Sequence, residues 1–345
     1  MMRTEKVRAF LESGEGVIIS SYPNIFYYSQ FTSEDAFLII TKDRQILVTD
    51  SRYTLQAKYQ AHDFEIYDIE NGLEPLFNGI KEEVFGFEEN AVTVREFARF
   101  QKVTKKLVPM SAKICAPRRI KDSTEIEKIA KAEELAKEAL CNTLPKIRVG
   151  MTEREVALMI EFYMLSNGAQ KTSFETIVAS GVRSSMPHGV ASDKPICRGD
   201  FVTMDFGCVL DGYCSDMTRT VVMSEASDRQ KEIYDIVLKA QNAAIDKAAK
   251  GKTCADIDAV ARNIIEDAGY GENFGHSLGH SVGIEIHERP NFSPKSSDIT
   301  ENGNVITVEP GIYIEGFGGV RIEDVIVIGE KTRNLTDFTK ELIII

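Results

Sequence analysis

Gly199-Asp200-Phe201-Val202-Thr203-Met204-Asp205-Phe206-Gly207 is answered 104 residues later by Gly303-Asn304-Val305-Ile306-Thr307-Val308-Glu309-Pro310-Gly311. Both read glycine, polar, two apolar, threonine, apolar, acid, any residue, glycine. A second pair lies upstream. Gly150-Met151-Thr152-Glu153-Arg154-Glu155 opens a helical stretch closed by Gly168, and Gly251-Lys252-Thr253-Cys254-Ala255-Asp256 opens one closed by Gly269, an offset of 101 residues. Each has a capping threonine, an acid three residues on and a terminating glycine. One match arises easily by chance; two at nearly one offset do not. The later part of the chain therefore reads as two half-domains, each helix–helix then strands, related by a pseudo-twofold axis. A cleft between such halves is a natural place for a site.

Working outward, Asp122 with Glu125 three residues on caps a helix running to about residue 143. Pro117 and the charged stretch 118–122 interrupt the pattern before it, which divides the chain into domains 1–118 and 119–345. In the first part, apolar runs at 36–40 and 45–49 flank the polar turn 42–44 and predict a hairpin. Helical stretches near 53–61 and 92–107 and a strand at 84–87 make it a smaller α/β unit. A length of 345 residues suits two domains.

Lys and Arg number 41 against 53 Asp and Glu, a net charge of −12. That field repels phosphate backbones and argues against a nucleic-acid partner. No stretch approaches the roughly 18 consecutive apolar residues of a membrane helix, so no membrane partner is expected. The first sixteen residues lack the apolar core of a secretory leader, and the expected compartment is the cytoplasm. The six cysteines form no C-x-x-C pair and read as reduced, mostly buried residues.

An acid at one place in each half, inside an apolar strand, is the first chemical anomaly. Acids are depleted in strands, and buried ones need partners; the alternative is an edge strand with its acid in water. Asp211-Gly212 marks a two-residue hairpin turn. Asp205 then faces Thr218 and Gly207 faces Asp216, so Asp205 and Asp216 are diagonal neighbours about 7–8 Å apart at Cα. Two carboxylates there repel unless one is protonated or a cation lies between them. The second half offers Glu323 after Gly316-Phe317-Gly318-Gly319, a loop too glycine-rich to set a register. Three of five histidines, His276, His280 and His287, fall within twelve residues. His188 is a fourth, and His62 reads as a surface or packing residue. No phosphate-loop, nucleophile-elbow or H-E-x-x-H motif occurs. Four carboxylates and a histidine suit two divalent cations, manganese above a structural zinc. Such a pair activates water and polarises a carbonyl.

Pro187-His188-Gly189, Met204-Asp205-Phe206-Gly207, Ser215-Asp216-Met217-Thr218-Arg219-Thr220, Gly279-His280-Ser281-Val282-Gly283, His287-Glu288-Arg289-Pro290, Val308-Glu309-Pro310-Gly311 and Val320-Arg321-Ile322-Glu323-Asp324 together resemble the pita-bread metallopeptidases. That is the group of methionine aminopeptidase, aminopeptidase P and prolidase. Asn24-Ile25-Phe26-Tyr27-Tyr28 and Leu47-Val48-Thr49-Asp50-Ser51-Arg52-Tyr53 resemble the creatinase-type N-terminal domain of its proline-specific members. The resemblance implies an α+β protein: a pita-bread catalytic domain behind a creatinase-type domain. It also implies two divalent metal ions, manganese with cobalt or zinc as alternatives, short proline-containing peptides as substrates, and a homodimer. Five ligands carry over to Asp205, Asp216, His280, Glu309 and Glu323. Asp216 and Glu323 would bridge the ions, Asp205 complete one, and His280 with Glu309 the other. Glu309 would also be the general base. His188 and His287 would act on the scissile bond as catalytic residues, and His276 and Arg321 would bind substrate. Some dipeptidases carry arginine where Asn291 stands, to hold the product carboxylate. This leans the reading to an Xaa-Pro aminopeptidase, with an Xaa-Pro dipeptidase as the alternative and a non-catalytic peptide-binding module as a remote third.

Overall fold

The apolar runs at 36–40 and 45–49 pair as their polar turn predicts. Strand β2 (Ala36–Ile40) lies antiparallel to β3 (Gln45–Thr49), Ala36 opposite Thr49. The computed structural model describes residues 3–345. It places this hairpin in a sheet with β1 (Glu15–Ile19), β4 (Glu65–Asp68), β5 (Val84–Phe87) and β6 (Lys106–Pro109), in the order β4-β3-β2-β1-β5-β6. The helix expected over 92–107 is shorter, Val94–Gln101. The Phe100 carbonyl accepts the Val103 and Thr104 amides and the Thr104 hydroxyl, which closes the helix and frees 106–109 to become an edge strand. His62 is exposed. The chain divides into two units between Arg118 and Arg119, and this sheet is the frame of the first.

The second unit carries four main helices: α1 (Ser123–Thr143), α2 (Glu153–Ser166), α3 (Asp228–Lys247) and α4 (Cys254–Asp267). Asp122 and Thr152 each form a capping box, with Glu125 and Glu155. Thr253 accepts the Asp256 amide at 3.1 Å. Gly168 and Gly269, which follow α2 and α4, have φ of 106° and 87°, a region open to glycine.

Each helix pair covers one strand set. In the first half β8 (Ile177–Ser180), β9 (Phe201–Phe206) and β12 (Met217–Val222) pair antiparallel, and the short strands β7 (Lys171–Thr172), β10 (Cys208–Leu210) and β11 (Tyr213–Cys214) form a separate sheet. Val202, Met204 and Phe206 pack with Val156, Ile160 and Met164 of α2. A strand alternates faces, so Thr203 and Asp205 point away from the helices. In the second half β13 (Gly279–Ser281) and β14 (Glu288–Phe292) join β15 (Val305–Val308) and β18 (Asp324–Val327). Ile306 and Val308 pack with Val237 and Ile257 of α3 and α4, which turns Thr307 the other way. Burying each such aliphatic side chain contributes about 1.5–3 kcal/mol, so the helix layers determine which face of β9 and β15 is left to carry polar groups.

None of the six cysteines is in a disulfide; Cys208, Cys214 and Cys254 are buried, Cys115 is partly buried, and Cys141 and Cys197 are exposed. No helix among the described residues is long and apolar enough to cross a membrane.

Candidate active site

The hairpin register decides where the first two acids go. Asp205 lies opposite Thr218 and Phe206 opposite Met217, while Val209 faces Cys214 and Leu210 faces Tyr213. These are the pairs a two-residue Asp211-Gly212 turn requires, and both turn residues have positive φ, 50° and 79°. Asp216 falls just before β12, opposite Gly207. A Cβ on Gly207 would sit 1.9 Å from the Ser215 carbonyl oxygen, so only glycine lets the strands close here.

In the second half the acids are not inside strands, contrary to the expectation for Glu309. Glu309 follows the last residue of β15, before Pro310, and Glu323 lies between β17 (Gly318–Arg321) and β18. Strand β16 (Gly311–Ile314) pairs with β17. Val308 faces Asp324 and Gly311 faces Arg321, a continuous register that sets Glu309 opposite Glu323.

Asp205, Asp216, His276, His280, His287, His188, Glu309, Arg321 and Glu323 all line one cleft of about 500 Å³. Ligand atoms of Asp216, His280 and Glu323 lie within 4.8 Å of one another. His280 Nε2 is 3.5 Å from Asp216 Oδ2 and 3.4 Å from Glu309 Oε1. Its Nδ1 faces the Ser281 carbonyl at 3.2 Å, which leaves Nε2 as the lone-pair nitrogen toward the acids. Thr218 Oγ1 donates to Glu323 Oε2 at 2.6 Å, and Thr307 Oγ1 donates to Glu309 Oε1 at 3.1 Å.

Burial dominates the electrostatics. It pushes the Glu309 carboxyl up to about 8, with Arg321 opposing and Asp205 adding to the rise. It raises Asp216 and Glu323 well above the carboxylate range, each helped by the other acids of the cluster. Burial holds His276 and His280 down to about 4 and lowers His287, so these rings are neutral at pH 7. The Asp205 Oδ1 atom is buried without a hydrogen-bond partner. Repelling acids, a neutral imidazole aimed at them and an orphaned carboxylate oxygen form a donor set that fits divalent cations.

Around this set lie residues that no motif announced. The Tyr313 hydroxyl accepts from Arg321 Nη1 at 2.8 Å and contacts His276 Nε2 at 2.9 Å. Arg321 also donates to Asp205 Oδ2 at 2.5 Å and to the Pro187 carbonyl at 3.1 Å. It therefore acts on Asp205 and on the segment before His188, which goes beyond the substrate contact expected of it. Tyr313 had no sequence signal, because its role depends on a register that the glycine-rich turn concealed. Phe174, Ile177, Val190 and Ile286 add apolar wall. Asn291 lines the cleft, and Arg289 Nη1 donates to its Oδ1 at 2.7 Å.

The profile of metallopeptidase family M24 matches residues 127–330, and that of the creatinase/prolidase N-terminal domain matches residues 3–120. An Xaa-Pro dipeptidase of Pyrococcus horikoshii is 41% identical, covering 98% of this chain and 99% of its own. Among solved structures, the Xaa-Pro dipeptidase from Bacillus anthracis superposes with a TM-score of 0.96 at 40% identity, over 99% of each chain. The X-Pro aminopeptidase from Thermotoga maritima MSB8 superposes at 0.94 and 39% identity, over 99% of this chain and 100% of that one.

Proposed function

The chain belongs to metallopeptidase family M24 and is a peptidase of pita-bread fold, and from that premise we propose that it is an Xaa-Pro dipeptidase. The proposed division places a creatinase-type domain at 1–118 and the catalytic domain at 119–345. The family implies divalent metal ions. Asp205, Asp216, His280, Glu309 and Glu323 would hold two, with manganese the proposed metal. Bound there, the cations would lower the pKa of a water and polarise the scissile carbonyl.

The chain's own residues do the rest. Glu309 is the proposed general base, its Oε1 3.4 Å from His280 Nε2, at the end of a strand that packing holds still. His287 is neutral, kept so first by burial and then by His188, and can donate a hydrogen bond to charge developing on the carbonyl oxygen. His188, which lines the same cleft, is the proposed donor toward the proline nitrogen. The apolar wall suits a proline ring. An ordinary residue after the scissile bond would bring an N–H to that wall, and burying it unpaired costs about 1–3 kcal/mol.

The convergence of the five proposed ligands on one cleft is the observation that supports the peptidase chemistry. The choice of dipeptidase over the aminopeptidase that Asn291 suggested rests on the weight of dipeptidase relatives. It also rests on Arg289. Asn291 lacks the guanidinium for a product carboxylate, but Arg289, two residues earlier, holds one against Asn291 at the cleft edge. The aminopeptidase remains the second reading, favoured by the Thermotoga likeness. Initial rates on Ala-Pro, Ala-Pro-Ala and Ala-Ala-Ala with Mn²⁺, and again after chelation, decide. Ala-Pro should be cut fastest and Ala-Ala-Ala hardly at all, and chelation should stop turnover. Preference for Ala-Pro-Ala would install the aminopeptidase; a rate indifferent to chelator would remove both.

A further inference from the structure

Glu153 is the first residue of α2 and its side chain is fully buried. The helix does not need it as a cap, because Thr152 and Glu155 already form the capping box. Its carboxylate instead gathers five donors from one segment. Oε1 accepts the Ser180 amide at 2.7 Å and the Ser180 hydroxyl at 2.8 Å. Oε2 accepts the Ser192 amide at 3.1 Å, the Ser192 hydroxyl at 2.6 Å, and an N–H of Arg183. Ser180 ends β8, and Ser192 follows the loop that carries Pro187-His188-Gly189. Arg183 also donates to the Val190 carbonyl at 2.9 Å. One carboxylate therefore closes both ends of segment 181–191. The far side is fastened by Arg321, through the Pro187 carbonyl.

The internal repeat supplies an independent control. The residue at Glu153's place in the second half is Cys254, also buried, in a helix whose threonine cap is intact. A half of this fold closes without an acid there. The acid stands in the half whose loop brings His188 to the cleft; the second half's loop, which brings His287, instead folds onto Glu288, whose Oε1 accepts the Ile284 and Glu285 amides at 3.0 and 3.2 Å.

We propose that Glu153 is a positioning residue that sets the place of His188 by clamping the base of its loop; the proposal rests on the peptidase reading above. A saturated, fully buried carboxylate is a stiff anchor, because each donor it loses leaves a charge uncompensated. The clamp touches no proposed metal ligand, so it should act on His188 and leave the cations alone.

Glu153→Gln keeps the volume but puts an NH2 where Oε2 meets three donors. Three readouts apply to the Mn²⁺-loaded full chain and its metal-free form. First, kcat for Ala-Pro should fall about tenfold to a hundredfold, the scale of a reacting group displaced by about 1 Å, while calorimetry finds the same number of Mn²⁺ per chain. Second, on a His188→Ala background the same substitution should cost less than about twofold, because coupled residues are not additive. Third, amide exchange in the metal-free protein should quicken across 181–191 and not across 278–282. If Glu153→Gln does not fold, Ser192→Ala removes one donor and should show the same pattern at smaller amplitude. Equal losses with and without His188, or lost Mn²⁺ binding, or unchanged exchange in 181–191, would overturn the proposal. If the unmodified protein cuts no Xaa-Pro peptide, the functional reading fails, and exchange still decides the clamp.

Discussion

Asp205 and Asp216 come from a hairpin whose two-residue turn fixes them diagonally, with Gly207 opposite Asp216. Glu309 and Glu323 come from breaks between strands, set face to face by the continuous register of β15 with β18 and β16 with β17. The first half thus spaces its acids by backbone geometry alone. The second brings two acids into direct opposition, where like charges destabilise a strand pair, and needs help. Thr218 reaches across from the first half to Glu323, and Thr307 supports Glu309. The repeated framework supplies the proposed ligand positions twice, and the difference between the halves leaves opposed acids that cations would relieve.

Four expectations test that contrast, the largest first. If Asp216 and Glu323 are the bridging pair, one from each half, then Asp216→Ala and Glu323→Ala should each lose both cations and more than about 10³-fold in kcat. Asp205→Ala should lose one cation. Elemental analysis finding two metals per chain in Asp216→Ala would remove the bridging assignment.

Next, His188→Ala should keep both metals and lose about 10²–10⁴-fold in kcat, the worth of positioned acid–base help. Metal content falling in step with the rate would make His188 a ligand and extend the first half's share of the set.

A smaller effect should come from the second half's edge. Arg289→Ala should raise KM for Ala-Pro about tenfold, one charge-assisted contact, and leave KM for Ala-Pro amide unchanged. Equal changes on both substrates would mean that the arginine only braces Asn291.

The smallest is a pH effect on the metal-free protein. The Glu309 carboxyl titrates about 8 in the fold against 4.5 as its ordinary value. Between those values only the folded state holds the proton, so stability falls as pH rises through that window. The metal-free melting temperature should drop by several degrees from pH 5.5 to 8, an effect on the scale of about 1 kcal/mol or more. Mn²⁺ should abolish the drop by binding the folded form, and Glu309→Gln should shrink it. A metal-free protein equally stable at both pH values would mean that the opposed acids carry no strain.

Legibility followed the range of the forces involved. The cap at Asp122, the helix from Ser123 to Thr143 and the Asp211-Gly212 register were readable because each depends on residues within a few positions. The helix over 92–107 ran too long, since the carbonyl of Phe100 ends it through contacts that composition does not mark. The β16–β17 register was unreadable from Gly316-Phe317-Gly318-Gly319. It is held by tertiary partners, among them the Gly319 amide donating to Ser184 Oγ at 2.8 Å.

By itself, the sequence determined the repeat, the capped helices, the first hairpin and the identity of the acids and histidines in the cleft. These rest on local periodicity, turn chemistry and residue type, which are written along the chain. Only the tertiary structure decided that Glu309 opposes Glu323, that Arg321 joins Asp205 to the Pro187 carbonyl, and that Glu153 closes the loop of His188. Those contacts link residues between 14 and 134 positions apart. A buried charge finds its partners by what the packed layers bring beside it, and no local pattern encodes that.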